Sequence, residues 1–314
     1  MNEITSKREG VTLTPSSRLR RNYLIQGIAK AIMGAASLVA IVITVGIVLS
    51  LVPLTWQFLQ EIGTSFIGTK WAPLFEPPRY GLLPLLIGTI NVVGIALIVA
   101  IPLGLAAAIF MSEYAPRGVR RVVKPIMELL AGVPTVVLGF IGLYFVQPEL
   151  VLKFWPIGEP FGSFSALAAG LVTGVLIIPT IASVADDALN SVPNGLRDAG
   201  FALGATRREV STKIVFGAAL SGISASIILA FSRAFGETTI ALMVAGGFAQ
   251  LTLNPGDAMQ TLASFIGFAA IGDQPTDSPG YRTIFFVGSV LFLVTWFMNV
   301  IAIRIVNRFR EVYE

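Results

Sequence analysis

The chain has 314 residues, of which 54% are hydrophobic and only 13% charged, and its formal net charge is +4. A soluble domain cannot bury so large an apolar fraction, and soluble chains carry about 25% charged residues, so the composition predicts a membrane-embedded protein. The absence of cysteine and histidine excludes disulfides, and it excludes zinc, haem and nucleophilic sites built on those two side chains.

Residues 1–30 form a basic N-terminal tail that carries six Lys and Arg residues and has no apolar core of a signal peptide. We therefore expect the first span to be retained as an anchor. Beyond this tail, five windows contain no charged residue, and a sixth apolar stretch, 214–256, is interrupted only by Arg233 and Glu237. Each window supplies the roughly 20 apolar residues that a hydrocarbon core of about 30 Å requires. The sequence predicts six transmembrane helices, at about 31–52, 82–110, 129–147, 164–185, 218–248 and 283–303.

The distribution of basic residues predicts how these helices are oriented. With the N-terminus inside, the cytoplasmic segments are 1–30, 111–128, 186–217 and 304–314, and they hold 17 basic residues against four on the outer side. This asymmetry is typical of a multi-pass protein whose N- and C-termini are both cytoplasmic. It also explains the net positive charge without a nucleic-acid partner, and the lipid bilayer is the expected surrounding. Residues 31–314 are expected to form one transmembrane domain.

Three prolines, Pro102, Pro134 and Pro179, fall inside predicted spans. Proline removes a backbone hydrogen bond and bends a helix, so these residues either serve ordinary helix packing or act as hinges for alternating access.

In the outer loop after the fifth span, turn clusters at 254–257 and 273–280 bracket the apolar stretch 259–271. This stretch is too short to cross the membrane, which favours a re-entrant or interfacial helix.

The cytoplasmic segment 186–217 predicts a helix, a glycine turn and a second helix. Pro193 is typical of a helix start, and Gly204 of a helix end in the left-handed conformation. Thr206 and Glu209 have the spacing of a capping box for the second helix. The segment is either an amphipathic hairpin on the lipid headgroups or a docking element for a cytoplasmic partner.

Arg233 and Glu237 lie four residues apart in the fifth span, which predicts that both project from one helix face. An arginine at the bilayer centre costs about 2.5–3.5 kcal/mol on insertion scales, so such a group usually faces the bundle interior or water. Two readings follow. In the first, a salt bridge between the two residues, or a pairing with a neighbouring subunit, holds helices in register. In the second, the two residues line a translocation pathway, where the planar guanidinium suits an oxyanion. In the second reading we expect Glu237 to hold Arg233 between transport events.

Several chemistries are missing from the sequence. The chain has no GxxxxGK[ST] run, so a phosphate-binding loop for ATP is absent and any ATP hydrolysis must occur on another chain. We find no paired catalytic carboxylates, no nucleophile with its base and no metal-ligand cluster. The chain is therefore predicted not to be an enzyme, and no cofactor or metal is expected.

Two groups of motifs resemble a known family. Asp198, Ala199 and Gly200, followed at fixed spacing by Gly204 and Ile214, resemble the cytoplasmic E-A-A-x3-G-x9-I motif of importer permeases in the ATP-binding-cassette class. The run 233–238, RAFGET, resembles the R-A-x-G-E-T signature of phosphate-specific permeases. The run 71–84 with the Gly-Thr pair at 88–89, and the run 131–139, resemble the PstC-type subunits of that family.

This resemblance implies an all-α membrane protein of the type I importer (MetI-like) fold, in a bacterial plasma (inner) membrane, that imports inorganic phosphate by alternating access. It implies a coupling helix in the loop 186–217 and a transport role for Arg233 and Glu237. The implied partners are a homologous PstA-type permease subunit, two ATP-binding-cassette ATPase subunits and an extracytoplasmic phosphate-binding protein. Three alternatives stay open: the same machine for molybdate or sulfate, a secondary anion carrier or channel that needs no ATPase, and a membrane scaffold that transports nothing.

Overall fold

The computed structural model describes residues 17–154, 162–272, 275–276 and 278–309. It consists of two units, residues 1–50 and residues 51–314. The described part of the first unit is helical and belongs to α1 (Ser17–Ile62). This helix begins inside the predicted basic tail, and its last turns belong to the second unit. The other helices are α2 (Leu83–Ile109), α3 (Arg117–Ala131), α4 (Thr135–Ile141), α5 (Leu152–Phe154), α6 (Ala166–Asn190), α7 (Asn194–Ala202), α8 (Arg207–Glu209), α9 (Phe216–Ala218), α10 (Leu220–Gly236), α11 (Leu262–Ile271) and α12 (Pro279–Phe309).

Wider π-helical turns continue several of these helices, at Phe110–Tyr114 after α2, Gly142–Val151 between α4 and α5, Val210–Val215 between α8 and α9, and Ala241–Ala245 after α10. The β-structure of the described residues is one antiparallel pair of two-residue strands, β1 (Trp71–Ala72) and β2 (Arg79–Tyr80). The all-α fold class predicted from the sequence is thus confirmed.

Five helical stretches of the described chain are long and apolar enough to cross a membrane: Ile25–Ile62, Leu83–Tyr114, Thr135–Phe154, Ala166–Asn190 and Pro279–Arg304. A sixth span results if Arg207–Ala218 and Leu220–Gly236, which meet at an angle of 72°, are taken together. The predicted six spans agree with this higher number.

The third predicted span, 129–147, differs from the structure. Residues up to Ala131 belong to α3, a separate helix, and the next helix, α4, begins only at Thr135. The break has a local cause, because Pro134 is extended (φ −58°, ψ 131°) and a proline disfavours the helical conformation of the residue before it. The charge-free window gave no sign of this junction, because the residues on both sides of the junction are apolar.

The fifth predicted span, 218–248, is also shorter in the structure. Helix α10 ends at Gly236, and Glu237 adopts an extended conformation with ψ 110°. A short helical segment restarts two residues later and ends at Gly246, whose φ of +87° is in the left-handed region that favours glycine. The span therefore contains a break at the charged residue that the sequence placed on a continuous helix.

Helices α2 and α6 form the central pair of the bundle. At Gly104 of α2 an added Cβ would lie 2.7 Å from the Cβ of Ile181, and at Gly170 of α6 it would lie 2.6 Å from the Cβ of Ile95. Such close approach is typical of helix packing in membranes, where small residues let backbones approach each other. The two helices are held together near both ends of their contact, and α10 packs against the same pair.

Candidate functional site

The helix break brings Arg233 and Glu237 into different surroundings. Arg233 lies in the last turn of α10 and is half-buried. Glu237 lies beyond the helix, and its carboxylate accepts a hydrogen bond from the backbone N–H of Ile240 (3.1 Å). Glu237 therefore acts as the N-terminal cap of the segment that restarts after the break. The two residues do not share a helix face, and the prediction that they do is wrong.

Arg233 forms no ion pair and no hydrogen bond with any residue that the structure describes. The local salt bridge with Glu237, one form of the first sequence-based reading, is absent, and Glu237 does not hold Arg233 in this conformation. A pairing of Arg233 with a neighbouring subunit stays a prediction. The aligned carbonyl groups at the end of α10 give that helix end a partial negative charge, which stabilises a cation by about 0.3–1 kcal/mol. The helix end thus compensates the guanidinium in part and leaves its donors free.

The segment after the break packs against two other helices through glycines. An added Cβ at Gly139 of α4 would lie 2.6 Å from the sulfur of Met243, and one at Gly267 of α11 would lie 2.8 Å from Cδ1 of Leu242. Ile240 belongs to the same buried cluster as residues of α4 and α6. Two runs that resemble the same family from distant parts of the sequence, 131–139 and 233–238 with the residues that follow it, therefore lie side by side.

The loop after this segment is fixed by its own polar side chains. The backbone N–H of Asp257 donates to the carbonyl of Asn254 (3.1 Å), and the Asp257 carboxylate accepts from Thr252 and Asn254 (2.6 and 2.9 Å), so the predicted turn at 254–257 is confirmed. Helix α11 then begins with a capping box between Thr261 and Ser264. The predicted turn at 273–280 lies partly outside the described residues, which omit 273–274 and 277.

Helix α11 is tied to the start of α2. The Thr89 hydroxyl accepts a hydrogen bond from the backbone N–H of Leu262 (2.9 Å), and it donates to the carbonyl of Leu85 (2.7 Å). At the preceding residue, Gly88 is so close to the backbone of Gln260 that an added Cβ would clash with its carbonyl group. The Gly-Thr pair at 88–89 is thus a contact point between a span and the loop that precedes α11.

The segment 186–217 has the predicted helix, glycine turn and second helix. Pro193 precedes α7, Gly204 has a φ of +81°, and the Thr206–Glu209 capping box is present with both of its hydrogen bonds. Gly200 is buried, and an added Cβ would lie 2.6 Å from Cδ1 of Ile214. Two residues of the family motif therefore form the contact between the two helices.

The outward side of this segment is accessible. Asp198 and Ala199, the other motif residues, are exposed, and Leu203 next to the glycine turn is 89% exposed. The described part of the chain therefore leaves this side of the segment uncovered.

A network of ion pairs at this end of the bundle was not predicted from the sequence. Asp186 of α6 is fully buried and accepts from Arg120 of α3 (3.0 Å), while Lys124 lies 3.1 Å from the carboxylate of Asp187. The hydrogen bond from Lys124 to Asp187 raises the pKa of the lysine above its ordinary value, although partial burial opposes the shift. The adjacent carboxylates at 186–187 and the basic residues of α3 were the available sequence signal.

Glu113 is a second residue that the sequence did not single out. It lies in the π-helical turn that ends α2, and its carboxylate accepts two hydrogen bonds from Arg197 of α7. Arg207, after the glycine turn, donates to the backbone carbonyl of the same glutamate. No local pattern marks such a contact, since 84 residues separate Glu113 from Arg197.

The predicted hinge prolines occupy two kinds of position. Pro134 lies at the junction between α3 and α4, whereas Pro102 and Pro179 lie inside α2 and α6, which run on through them. Their role as hinges stays a prediction. Among the described residues, no three Asp or Glu side chains come close enough together to hold a metal ion.

Comparisons with known proteins give one consistent result. The family described as binding-protein-dependent transport system inner membrane component matches residues 100–309. A probable ABC transporter permease protein, YqgH of Bacillus subtilis (strain 168), is 36% identical over 90% of this chain and 91% of its own length. The phosphate transport system permease protein PstC of Mesorhizobium japonicum is 30% identical over 95% of this chain and 96% of its own. The PstC of Xylella fastidiosa (strain 9a5c) is 32% identical over 93% of both.

The solved structures that resemble this chain have the same fold. A bacterial ABC transporter involved in the import of alginate matches with a TM-score of 0.60 and 14% identity, over 94% of this chain and 100% of the other. The MetNI methionine ABC transporter in an inward-facing conformation matches with a TM-score of 0.57 and 19% identity, over 76% of this chain and 100% of the other.

Proposed function

Because this chain belongs to the family of binding-protein-dependent transport system inner membrane components, the permeases of ATP-binding-cassette importers, we propose that it is the PstC-type subunit of an importer of inorganic phosphate. Relatives named PstC, about 30% identical over almost the whole chain, support this substrate. The signature run that ends at Thr238 supports it from the sequence. Permeases of this family work with a second permease, ATPases and a binding protein.

The observation that carries the proposal is Arg233, half-buried at the break of a span and without a partner among the residues that the structure describes. A guanidinium in such a position attracts an anion strongly, and its fork of donors matches the oxygens of a tetrahedral oxyanion. The partial charge of the helix end keeps Arg233 compensated when no anion is present. A weakly compensated cation binds phosphate without holding it permanently, which a transport pathway requires. Glu237 contributes by fixing the backbone after the break.

We place the partners by analogy with the family. A PstA-type permease completes the membrane domain, two ATPase subunits bind the cytoplasmic segments, and an extracytoplasmic phosphate-binding protein meets the outer loops. Asp198, Ala199 and the exposed Leu203 form the part of the loop 186–217 that contacts the ATPase, while Gly200, Gly204 and Ile214 shape it. Residues 31–314 form the permease domain, and both termini are cytoplasmic.

The test is uptake of labelled phosphate into vesicles that contain this chain with its three partner proteins. Uptake that needs ATP and the binding protein, and persists in excess sulfate and molybdate, is the expected result. Competition by molybdate or sulfate would assign the machine to another oxyanion. Uptake without ATP would refute the importer and favour a secondary carrier.

A matched pair of variants tests the role of Arg233. Arg233→Lys keeps the charge but loses the planar fork, and we expect uptake at low phosphate to fall about tenfold, the effect of one lost charge-assisted hydrogen bond. Arg304→Lys, at an exposed position near the end of α12, is the control and should transport normally. Normal affinity and rate in Arg233→Lys would contradict the oxyanion role.

A further inference from the structure

Helix α7 is attached to the bundle by few contacts. Within α7, only Gly200 is buried, and it contacts the second helix of the same cytoplasmic segment through Ile214 and Val210. The direct polar link from α7 to the membrane helices, within the described residues, is made by Arg197. Its side chain is only 16% exposed, and that of Glu113, its partner at the end of α2, is 10% exposed.

Arg197 uses its whole guanidinium in this link. Nε and Nη2 donate to one carboxylate oxygen of Glu113 (3.3 and 2.8 Å). Nη2 also donates to the carbonyl of Leu189 (2.8 Å) in the last turn of α6, and Nη1 donates to the carbonyl of Val192 (2.6 Å). The last carbonyls of a helix have no partner inside it, so Arg197 caps α6 while it binds α2.

Glu113 receives the other half of the segment as well. Arg207 donates to its backbone carbonyl, and the Arg207 guanidinium lies 5.0 Å from the centre of the Tyr114 ring in a cation–π contact. The π-helical turn at the end of α2 therefore holds the helices on both sides of the glycine turn. A buried ion pair adds little net stability, because desolvation offsets its attraction. The ion pair between Arg197 and Glu113 is better explained as a contact that fixes the position of α7 relative to α2 and α6.

We propose that Arg197 and Glu113 are positioning residues that transmit movement of α7 into α2 and α6 together. This inference rests on the proposed docking of α7 on an ATPase. Since α2 and α6 pack closely at Gly104 and Gly170, a displacement applied at their cytoplasmic ends moves them as a pair. At its other end α2 is bound to α11 through Thr89. The pair of helices thus connects the cytoplasmic segment to the outer loop.

The experiment measures phosphate imported per ATP hydrolysed by the complete importer in vesicles. Glu113→Gln keeps the size of the side chain but removes its charge. Arg197→Lys keeps the charge, but one ammonium group cannot reach the carboxylate and both carbonyls together. We expect both variants to assemble and to hydrolyse ATP, while the import per ATP falls by about fivefold or more, the lower range of coupling between two sites. The double variant should be no worse than the more affected single variant.

Lys213→Gln is the matched control, because Lys213 loses only a local contact to Glu209 (3.4 Å) and is 73% exposed. Its import per ATP should equal that of the wild type. A purely structural role would lower the amount of complex, or lower hydrolysis and import in proportion, and leave the ratio unchanged; that result would overturn the proposal. A wild-type complex that imports no phosphate would instead refute the proposed function, so the two failures are distinguishable.

Discussion

The contact between α2 and the loop before α11 predicts opposite effects for two glycines of the same helix. Gly88→Ala places a methyl group against the carbonyl group of Gln260, whose carbon atom would lie 3.1 Å away. A backbone carbonyl cannot rotate aside as a flexible side chain does, so the cost lies in the upper part of the roughly 1–3 kcal/mol range for overpacking. A shift of the loop also strains the hydrogen bond from Leu262 to Thr89 (2.9 Å), which contributes about 1 kcal/mol.

Gly94→Ala is the control, because nothing lies within 4 Å of an added Cβ there. Both substitutions gain about 0.5–1 kcal/mol of helix stability from replacing glycine. We therefore expect Gly88→Ala to be destabilised by about 2 kcal/mol and Gly94→Ala to be slightly stabilised. At roughly 2 °C per kcal/mol, the thermal midpoints should differ by about 5 °C.

Tryptophan fluorescence during heating in detergent micelles measures this difference. Trp71 is buried and its ring packs edge-on against Phe265 of α11 at 4.9 Å, so it reports on the part of the structure that the substitution disturbs. Equal midpoints for the two variants would refute the close approach of α2 to the loop.

Three further predictions concern the end of the bundle that carries the segment 186–217. Asp186→Asn removes a buried charge that is bonded to Arg120, and it should lower stability by about 2 kcal/mol. Asp187→Asn, whose side chain is 67% exposed, should cost less than about 1 kcal/mol. Thermal melting of both variants checks this difference. Gly204→Ala should lower the stability by about 1–2 kcal/mol, because Gly204 has a φ of +81°. Gly195 has a negative φ and no neighbour within 4 Å of an added Cβ, so Gly195→Ala should leave the stability unchanged or raise it. Thermal melting measures both effects. Because the pKa of Lys124 is raised in the folded state, its stabilising contribution is complete below the unfolded pKa of about 10.4 and is lost as the pH rises through the folded pKa. The midpoint of Lys124→Met should thus lie below that of the wild type at about pH 8, and the gap should narrow as the pH rises above the unfolded pKa of about 10.4.

The parts of the fold that sequence predicts well are those with a local cause. Charge-free windows locate the spans because lipid excludes charge along a whole segment. The capping box at Thr206 and the turn at Gly204 were predicted because the residues involved are three or fewer positions apart, or because one residue alone decides the backbone conformation.

The breaks in the spans and the polar contacts could not be predicted in the same way. The break after Gly236 is stabilised by close packing of the following segment on Gly139 and Gly267. The sequence of that segment contains no local signal for these contacts. The sequence singled out Arg233 and Glu237 as a pair, but whether they pair depends on the break in the backbone at Glu237, which the sequence does not show. The contact between Glu113 and Arg197 joins residues that are distant in the chain, and its signal lies only in the three-dimensional arrangement.

The early end of α10 has a consequence for the surrounding bilayer. Its 17 residues extend about 25 Å, whereas the 25 residues of α6 extend about 37 Å. The segment that restarts after the break packs inside the bundle, so it adds no length on the side of α10 that faces outward. A hydrocarbon core of about 30 Å is thicker than α10 alone is long, so α10 crosses it either with the help of the bent segment Arg207–Ala218 or with thinner lipid beside it. The acyl-chain length of the host membrane is therefore a variable that acts on this helix more than on its neighbours.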